Sequence, residues 1–270
     1  MPINTPRKKP INLIFILALI TSVLGLAGVA IAQSDESRIF FPLVVKAPPG
    51  RPPEAIMILS PASGSRITSP LRVSGEADPT FEQNLVVRVL QADGTLVTQA
   101  PTTIQADVGQ RGPFEIELPI SLPSEQNIFI QVFSDSARDG GITHLSSVGV
   151  MFTPTGPANI ITRDPYPEQI SIFQPQTGAS ISGGTVHVSG FALAGFEQTL
   201  LIEVLDEDGT VIGSQPVMVD APDLGQPGPF EADVAYTVSQ VQNGRIVVRD
   251  ISPAFGGNAH LSSVEVNLAP

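Results

Sequence analysis

The stretch that decides the fold is Asp107-Val-Gly-Gln-Arg-Gly-Pro-Phe-Glu115, which returns later in the chain as Asp223-Leu-Gly-Gln-Pro-Gly-Pro-Phe-Glu231. The two stretches are identical at seven of nine positions. In each one, a run of turn-forming residues leads into Phe-Glu, where apolar and acidic residues begin to alternate. A repeat of this kind indicates two copies of one structural unit.

Other motifs recur on either side of this stretch. They keep the same order in both copies: Ser60-Pro61 and Gln174-Pro175, Phe81-Glu82-Gln83 and Phe196-Glu197-Gln198, His144-Leu-Ser-Ser-Val148 and His260-Leu-Ser-Ser-Val264. Several matches in one order indicate tandem duplication. We place the copies at residues 54–153 and 168–270. Residues 154–167 contain four prolines and one glycine, which predicts a linker of limited flexibility.

Within each copy, the apolar residues follow a period of two. Phe114, Ile116 and Leu118 alternate with glutamates, and the second copy repeats the pattern from Phe230. This alternation is typical of strands with one face in a core and one face in water. No segment after Ala32 keeps a helical period for ten residues.

The sequence also predicts turns between these strands. Asp93-Gly94 and Asp208-Gly209 lie between apolar runs, where an Asp-Gly pair favours a tight hairpin. Short strands at this spacing, about seven per hundred residues, predict an immunoglobulin-like β-sandwich. The expected fold is therefore all-β, with two tandem sandwiches behind an N-terminal signal or anchor helix. The chain lacks the Cys…Trp…Cys pattern of antibody domains, so only the architecture is predicted.

The order of motifs in each copy resembles a known family. Each copy has an Ile-x-Ile-x-x-Pro opening, an early Ser-Gly, then Phe-Glu, Asp-Gly and Gly-x-Phe: Ile56 to Pro61, Ser74-Gly75 and Gly112 to Phe114, with Ile170 to Pro175, Ser189-Gly190 and Gly228 to Phe230. In this order the copies resemble the immunoglobulin-like domain of bacterial spore germination proteins. The resemblance implies an extracytoplasmic accessory module and brings no catalytic residues. No germination-protein domain accompanies the copies, so we expect an envelope or surface role.

The N-terminus predicts export. Arg7-Lys8-Lys9 precedes an almost wholly apolar run from Ile11 to Ala32, as in a signal peptide. Ala30-Ile31-Ala32 predicts cleavage before Gln33. The run of 22 residues is also long enough to span a bilayer, so residues 1–32 are a signal peptide or a membrane anchor. Both outcomes place the rest outside the cytoplasm, secreted or anchored, with residues 33–53 as a Pro-rich spacer.

Composition limits the partners. The net charge of −12 repels nucleic acid, so we expect no nucleic-acid partner. We expect membrane contact only through residues 11–32, if they are not cleaved. The absence of cysteine excludes disulfides, thiolate metal sites and a cysteine nucleophile.

The histidines do not predict an enzyme. His144 and His260 occupy equivalent places in the two copies, which indicates one structural task performed twice, with hydrogen bonding to a loop as the simplest form. His187 has no counterpart in the first copy. The chain contains no G-x-S-x-G, H-E-x-x-H or phosphate-loop motif. We therefore predict no catalytic residues, no cofactor site and no metal site.

The recurring acids have a simple interpretation. Glu82 and Glu197 each follow a Phe that we expect to anchor the core, and we expect the carboxylates to be exposed or bonded to a loop. Calcium binding by the first copy is the alternative, through acids that could gather at one end: Glu76, Asp78, Asp135 and Asp139. Their counterparts in the second copy are apolar: Phe191, Leu193, Ile251 and Phe255. Such a cluster would not be a property of the domain type.

These observations favour a structural or interaction protein of the envelope or extracellular space. We expect the partner to be an envelope or extracellular protein or glycan, which the sequence does not identify. A cell-wall or carbohydrate-binding module is the alternative, although the chain has no Trp and only two Tyr to form a sugar platform.

Overall fold

The computed structural model describes residues 51–193 and 195–270. The predicted signal or anchor at residues 1–32 and most of the predicted spacer lie outside this range. The all-β prediction is confirmed: regular structure in the described range consists of strands and two short 3₁₀ turns. None of the described residues forms a helix with the length and hydrophobicity needed to cross a bilayer.

Each copy forms eight strands. The first copy contains β1 (Ile56–Ser60), β2 (Arg66–Ile67), β3 (Leu71–Ala77), β4 (Asn84–Gln91), β5 (Leu96–Thr103), β6 (Gly112–Leu118), β7 (Gln126–Asp135) and β8 (Ile142–Phe152). The second contains β9 (Ile170–Gln174), β10 (Ser180–Ile181), β11 (Thr185–Ala192), β12 (Thr199–Leu205), β13 (Val211–Met218), β14 (Gly228–Ala235), β15 (Gln242–Ile251) and β16 (Asn258–Leu268). The 3₁₀ turns, Phe81–Gln83 and Phe196–Gln198, precede β4 and β12.

Two sheets enclose a separate core in each copy. A three-stranded sheet, β1-β3-β6 or β9-β11-β14, packs on a sheet in the order β5-β4-β7-β8 or β13-β12-β15-β16. The cores are built mainly from aliphatic side chains, with the rings of Phe114 and Phe152 in the first and those of Phe230 and Tyr236 in the second. Each copy is therefore an immunoglobulin-like sandwich.

Two of the recurring motifs meet in one packing contact. Phe114 lies in the core, and a Cβ atom added to Gly75 would lie 2.7 Å from its ring and 1.9 Å from a backbone oxygen. Gly190 has the same relation to Phe230, with a ring contact of 2.5 Å. The Ser-Gly and Gly-x-Phe motifs recur because a glycine on the neighbouring strand makes room for the ring.

The Phe-Glu-Gln motif has a different role from the one expected. Phe81 is 62% exposed, so the prediction that it anchors the core is wrong. The buried residue is Gln83, whose Nε2 donates to the carbonyl oxygens of Asp107 and Gln110 at 3.1 Å each. Glu82 is exposed. The amide of Gln83 thus ties its turn to the Gly-Gln-x-Gly-Pro loop.

The linker lies along the first domain. Asn159 exchanges two backbone hydrogen bonds with Arg66, at 2.8 and 2.9 Å. The carbonyl of Ile161 accepts from the Ala62 amide, and its own amide donates to Ser65 Oγ at 3.0 Å. These bonds limit the flexibility of the linker.

The two sandwiches are joined through their last strands. Strands β8 and β16 pair antiparallel, with Leu145 opposite Leu261, so the two larger sheets become one continuous sheet. Phe133, Leu145, Val247 and Leu261 form an apolar cluster at this junction. Because Leu145 and Leu261 are equivalent residues, the junction has an approximate two-fold axis between them.

Candidate functional site

The site begins with two glutamates that precede β1 and β9. The segments before these strands lie side by side, since the Glu54 amide donates to Tyr166 O at 3.0 Å and the Glu168 amide donates to Pro52 O at 2.7 Å. This pairing brings Glu54 and Glu168 together beside the β8–β16 junction.

The two carboxylates are held by reciprocal hydrogen bonds. Glu54 Oε2 accepts from the Gln169 amide at 2.9 Å, and Glu168 Oε2 accepts from the Ala55 amide at 2.8 Å. Each glutamate therefore binds the amide that follows the other glutamate. The second oxygen, Oε1, of each is left to face the histidines.

His144 on β8 and His260 on β16 complete the group. His144 Nε2 lies 2.7 Å from Glu54 Oε1 and 3.7 Å from Glu168 Oε1. His260 Nε2 lies 3.4 and 3.6 Å from the same two oxygens. The rings are perpendicular, with centroids 5.5 Å apart. We call Glu54, His144, Glu168 and His260 the His–Glu cluster.

Two serines support the carboxylates from β8 and β16. Ser146 Oγ donates to Glu54 Oε1 at 3.0 Å, and Ser262 Oγ donates to Glu168 Oε1 at 2.9 Å. Ser262 Oγ also lies 3.4 Å from His144 Nδ1, so a serine, a histidine and an acid lie in a row in space. Ser262 is buried and its proton is engaged by Glu168, so this arrangement does not present a nucleophile.

The cluster is largely buried. Exposed side-chain fractions are 0% for Glu54, 7% for Glu168, 2% for His260 and 13% for His144. Burial alone raises the pKa of Glu54, but His260 and His144 outweigh it and hold that pKa well below its usual range. Burial lowers the pKa of His260, but Glu54 and Glu168 outweigh it and raise this pKa to about 10. His260 Nε2 makes no well-directed hydrogen bond despite these ionic contacts.

The structure revises the interpretation of the histidines. They do not serve two separate loops, because His144 and His260 meet in one site formed by both copies. The residues that the sequence analysis missed are the glutamates. The sequence offered one sign of them: Glu54 and Glu168 occupy equivalent positions, each two residues before the isoleucine that opens a copy, Ile56 or Ile170.

Among the described residues, the four acids considered for calcium do not form one group of ligand atoms. Glu76 and Asp78 both pair with Arg111, at 3.4 and 2.6 Å. Asp139 pairs with Arg245 across the domain junction. Among the described residues, the His–Glu cluster is the one group of three or more histidine or acidic side chains whose ligand atoms all lie within 4.8 Å of one another.

The remaining histidine lies apart from the cluster. His187 is on β11, is exposed, and its Nδ1 lies 2.9 Å from Asp233 Oδ1. It is a surface residue of the second domain.

Two further contacts flank the junction at equivalent positions. On one side, Phe255 of the β15–β16 loop packs on Phe129 of β7, with ring centroids 5.0 Å apart. On the other side, Asp139 of the β7–β8 loop pairs with Arg245 of β15. The side chains of Asp139 and Arg245 are both almost completely buried. The junction thus has an aromatic arm and an ionic arm.

Both copies match one known protein family. The immunoglobulin-like domain of bacterial spore germination matches residues 55–141 and 169–257, more than half of the chain. The chain belongs to this family. The residues of the His–Glu cluster all lie just outside the segments that match the family. In each copy the glutamate comes one residue before the matched segment and the histidine three residues after it.

Solved structures provide looser similarities. A crystal structure of red sea bream transglutaminase matches 80% of this chain at 7% identity and a TM-score of 0.30, and the chain spans 31% of that protein. The N-terminal Ig1-2 module of the Drosophila receptor protein tyrosine phosphatase DLAR matches over 81% of this chain and 100% of that module, at 13% identity and a TM-score of 0.22. No curated protein matches the sequence significantly.

Proposed function

We propose that the protein is an exported accessory protein of the cell envelope or extracellular space, whose two immunoglobulin-like domains act as one rigid, non-catalytic interaction module. The observation that carries the proposal is the junction between the domains. Tandem domains move relative to each other by default unless their interface is extensive. Here the larger sheets are continuous, and apolar, ionic and His–Glu contacts lie on both sides of the shared strand pair.

The compartment rests on the sequence. The basic cluster before the apolar run at 11–32 supports export, with the mature chain starting at Gln33 or anchored through that run. The acidic composition supports solubility outside the cell and disfavours nucleic acid as a partner.

The two ends of the continuous sheet are poorly suited to pairing with a strand from a partner. The continuous sheet ends at β5 and β13, and each of these strands contains a proline, Pro101 or Pro216. Proline has no N–H to donate, which hinders the addition of another strand. We infer that a protein or glycan partner binds the surface loops.

Fractionation of cells that produce the full-length protein tests the compartment. We expect the protein in the secreted or membrane fraction, with Gln33 as the N-terminus if it is cleaved. Recovery of the full-length chain in the soluble cytoplasm would contradict the proposal.

Cross-linking in the intact envelope, followed by identification of the attached molecule, tests the interaction role. We expect a protein or glycan that attaches reproducibly to the folded module. Direct binding of the purified protein to peptidoglycan would instead favour a cell-wall-binding module. Turnover of a cell-wall substrate would refute a non-catalytic role.

A further inference from the structure

We propose that the His–Glu cluster binds one divalent transition-metal ion, with zinc as the preferred ion. The bound ion would hold the two domains together. Its four inward atoms are two imidazole nitrogens and two carboxylate oxygens, all ligands that zinc accepts. Each domain contributes one histidine and one glutamate. An ion bound there would bridge the two domains.

The distances fit a small tetrahedral ion. Ligands about 2.0–2.1 Å from a tetrahedral zinc ion lie about 3.3 Å from one another. The four nitrogen–oxygen distances in the cluster are 2.7, 3.7, 3.4 and 3.6 Å. These four distances lie within about 0.6 Å of that separation, and all four ligand atoms lie within 4.8 Å of one another.

The unpartnered nitrogen of His260 points to a ligand independently of the distances. Its Nε2 atom is buried and makes no hydrogen bond, although buried polar atoms almost always find a partner. It faces Glu54 Oε1 and Glu168 Oε1. A metal ion among these atoms would give the nitrogen its missing partner.

The charges also match. Two buried carboxylates carry a charge of −2 that burial makes costly unless it is compensated. A divalent cation with two neutral imidazoles makes the site neutral. The donor set favours zinc and related transition metals over calcium or magnesium, which prefer all-oxygen sites.

The surroundings resemble the supporting shell of a metal site. Hydrogen bonds from Ser146, Ser262 and two backbone amides hold the carboxylates in place without occupying the centre. A cleft between the domains, lined in part by Phe81, Asp135 and Thr177, reaches His144 and offers a path from solvent. The chain has no cysteine and cannot form a disulfide, but a bound metal ion could still cross-link the two domains.

The first test is metal binding by the intact protein. The chelator-treated full-length protein is titrated with Zn²⁺ alone by calorimetry, and its metal content is measured after dialysis. We expect one zinc ion per chain and a thermal midpoint that rises with zinc concentration. With Co²⁺ as the probe, we expect the intense visible absorption of tetrahedral coordination.

Matched variants locate the site. His260→Gln removes a cluster ligand, and His187→Gln removes the exposed histidine on β11 as its control. We expect His260→Gln to weaken zinc binding by more than about tenfold and His187→Gln to leave it unchanged. If His260→Gln does not fold, the Co²⁺ spectrum of the wild-type protein still decides the coordination.

The proposal is overturned by any of three results. The protein binds no zinc after chelator treatment; its Co²⁺ spectrum is octahedral; or a folded His260→Gln variant binds zinc as tightly as the wild-type protein. The first of these results would make the cluster a buried network of ion pairs. None of them bears on export or on partner binding, so the proposed function is tested separately.

Discussion

Phe114 is one of the largest fully buried side chains of the first domain. Its ring fills the centre of the core against Gly75, and replacing it with Ala removes buried apolar surface and leaves a cavity. We expect Phe114→Ala to lower the free energy of unfolding of that domain by about 3–5 kcal/mol. Glu82→Ala is the control, because an exposed side chain usually contributes less than about 1 kcal/mol. Denaturant titration of both variants measures the difference, and equal losses would contradict it.

We expect substitution of Gln83 to destabilise the first domain, and substitution of its neighbour Glu82 to have little effect on stability. Gln83→Ala leaves the carbonyl oxygens of Asp107 and Gln110 without the donor that now satisfies them. Each of these hydrogen bonds contributes about 0.5–1.5 kcal/mol net, so losing both should destabilise the domain by about 1–3 kcal/mol. Urea midpoints for Gln83→Ala and Glu82→Ala compare the two positions. If Glu82→Ala is less stable than Gln83→Ala, the side-chain amide of Gln83 is not the main stabilising feature of the Phe-Glu-Gln motif.

At the scale of elements, the strands were predictable from the sequence because their signal is local. The alternation from Phe114 to Leu118 and the Asp-Gly pair at Asp93-Gly94 predicted β6 and the β4–β5 hairpin. Both depend only on neighbouring residues and on which face is buried. The recurrence of these signals then predicted two sandwiches.

The junction was not predictable in the same way. The pairing of β8 with β16 brings together residues more than a hundred positions apart. Glu54 and Glu168 stand before the strands and belong to no periodic pattern, so their meeting with His144 and His260 follows only from the arrangement of the domains. The exposure of Phe81 is a related case, because an aromatic residue in a turn carries no periodic signal for its direction.

The ionic arm can be tested at the scale of the β7–β8 loop and β15. Arg245→Ala leaves the buried carboxylate of Asp139 with Arg138, at 3.2 Å, as its remaining ion-pair partner, and with the Gly141 amide as a hydrogen-bond donor at 2.9 Å. Removing one member of a buried ion pair costs several kcal/mol, and we expect about 3 kcal/mol here. Arg72→Ala is the control, since its pair with Glu115 is exposed and should contribute at most about 1 kcal/mol. Thermal denaturation of both variants tests this, and similar losses would show that the ionic arm contributes little.

At the scale of the whole molecule, the two arms specify which domains pair. A first domain paired with a second copy of itself would put Phe129 against Asp139. A second domain paired with itself would put Arg245 against Phe255. Only the first-with-second arrangement matches aromatic with aromatic and base with acid. Mismatched charge and apolar surface disfavour the wrong pairs.

The separated domains test how far each one is self-sufficient. Each has its own core, so fragments 54–153 and 168–270 should each show β-type circular dichroism and melt cooperatively. Both should melt below the intact pair, because separation exposes Leu145 and Leu261 and breaks the Arg245–Asp139 pair. The intact protein should unfold in a single transition. If one fragment is unfolded in isolation, the domains depend on a shared core and the boundaries are wrong.

The pH dependence of the metal-free protein should reveal the charge state of the His–Glu cluster. His260 faces Glu54, Glu168, His144 and, on β15, Asp250. Burial opposes its charge, but the carboxylates raise its pKa to about 10, against about 6.5 in an unfolded chain. A raised pKa means that the folded state holds the proton more tightly. Its contribution to stability is complete below about pH 6.5 and is lost as the pH rises toward 10.

Glu54 acts at the acidic end of the pH scale. Its lowered pKa stabilises the fold above its ordinary value of 4.5, and this stabilisation is lost as the pH falls. With a chelator present, we therefore expect the free energy of unfolding to be highest between about pH 4.5 and 6.5 and to decline steadily toward pH 10. His260→Gln lacks the titrating ring and should show a shallower alkaline decline, whereas His187→Gln should keep the wild-type slope. Urea titrations at half-unit steps of pH measure all three proteins. A wild-type profile that is flat from pH 6.5 to 10 would mean that His260 is already neutral in the folded, metal-free protein, and that Glu54 and Glu168 are compensated by something other than its proton.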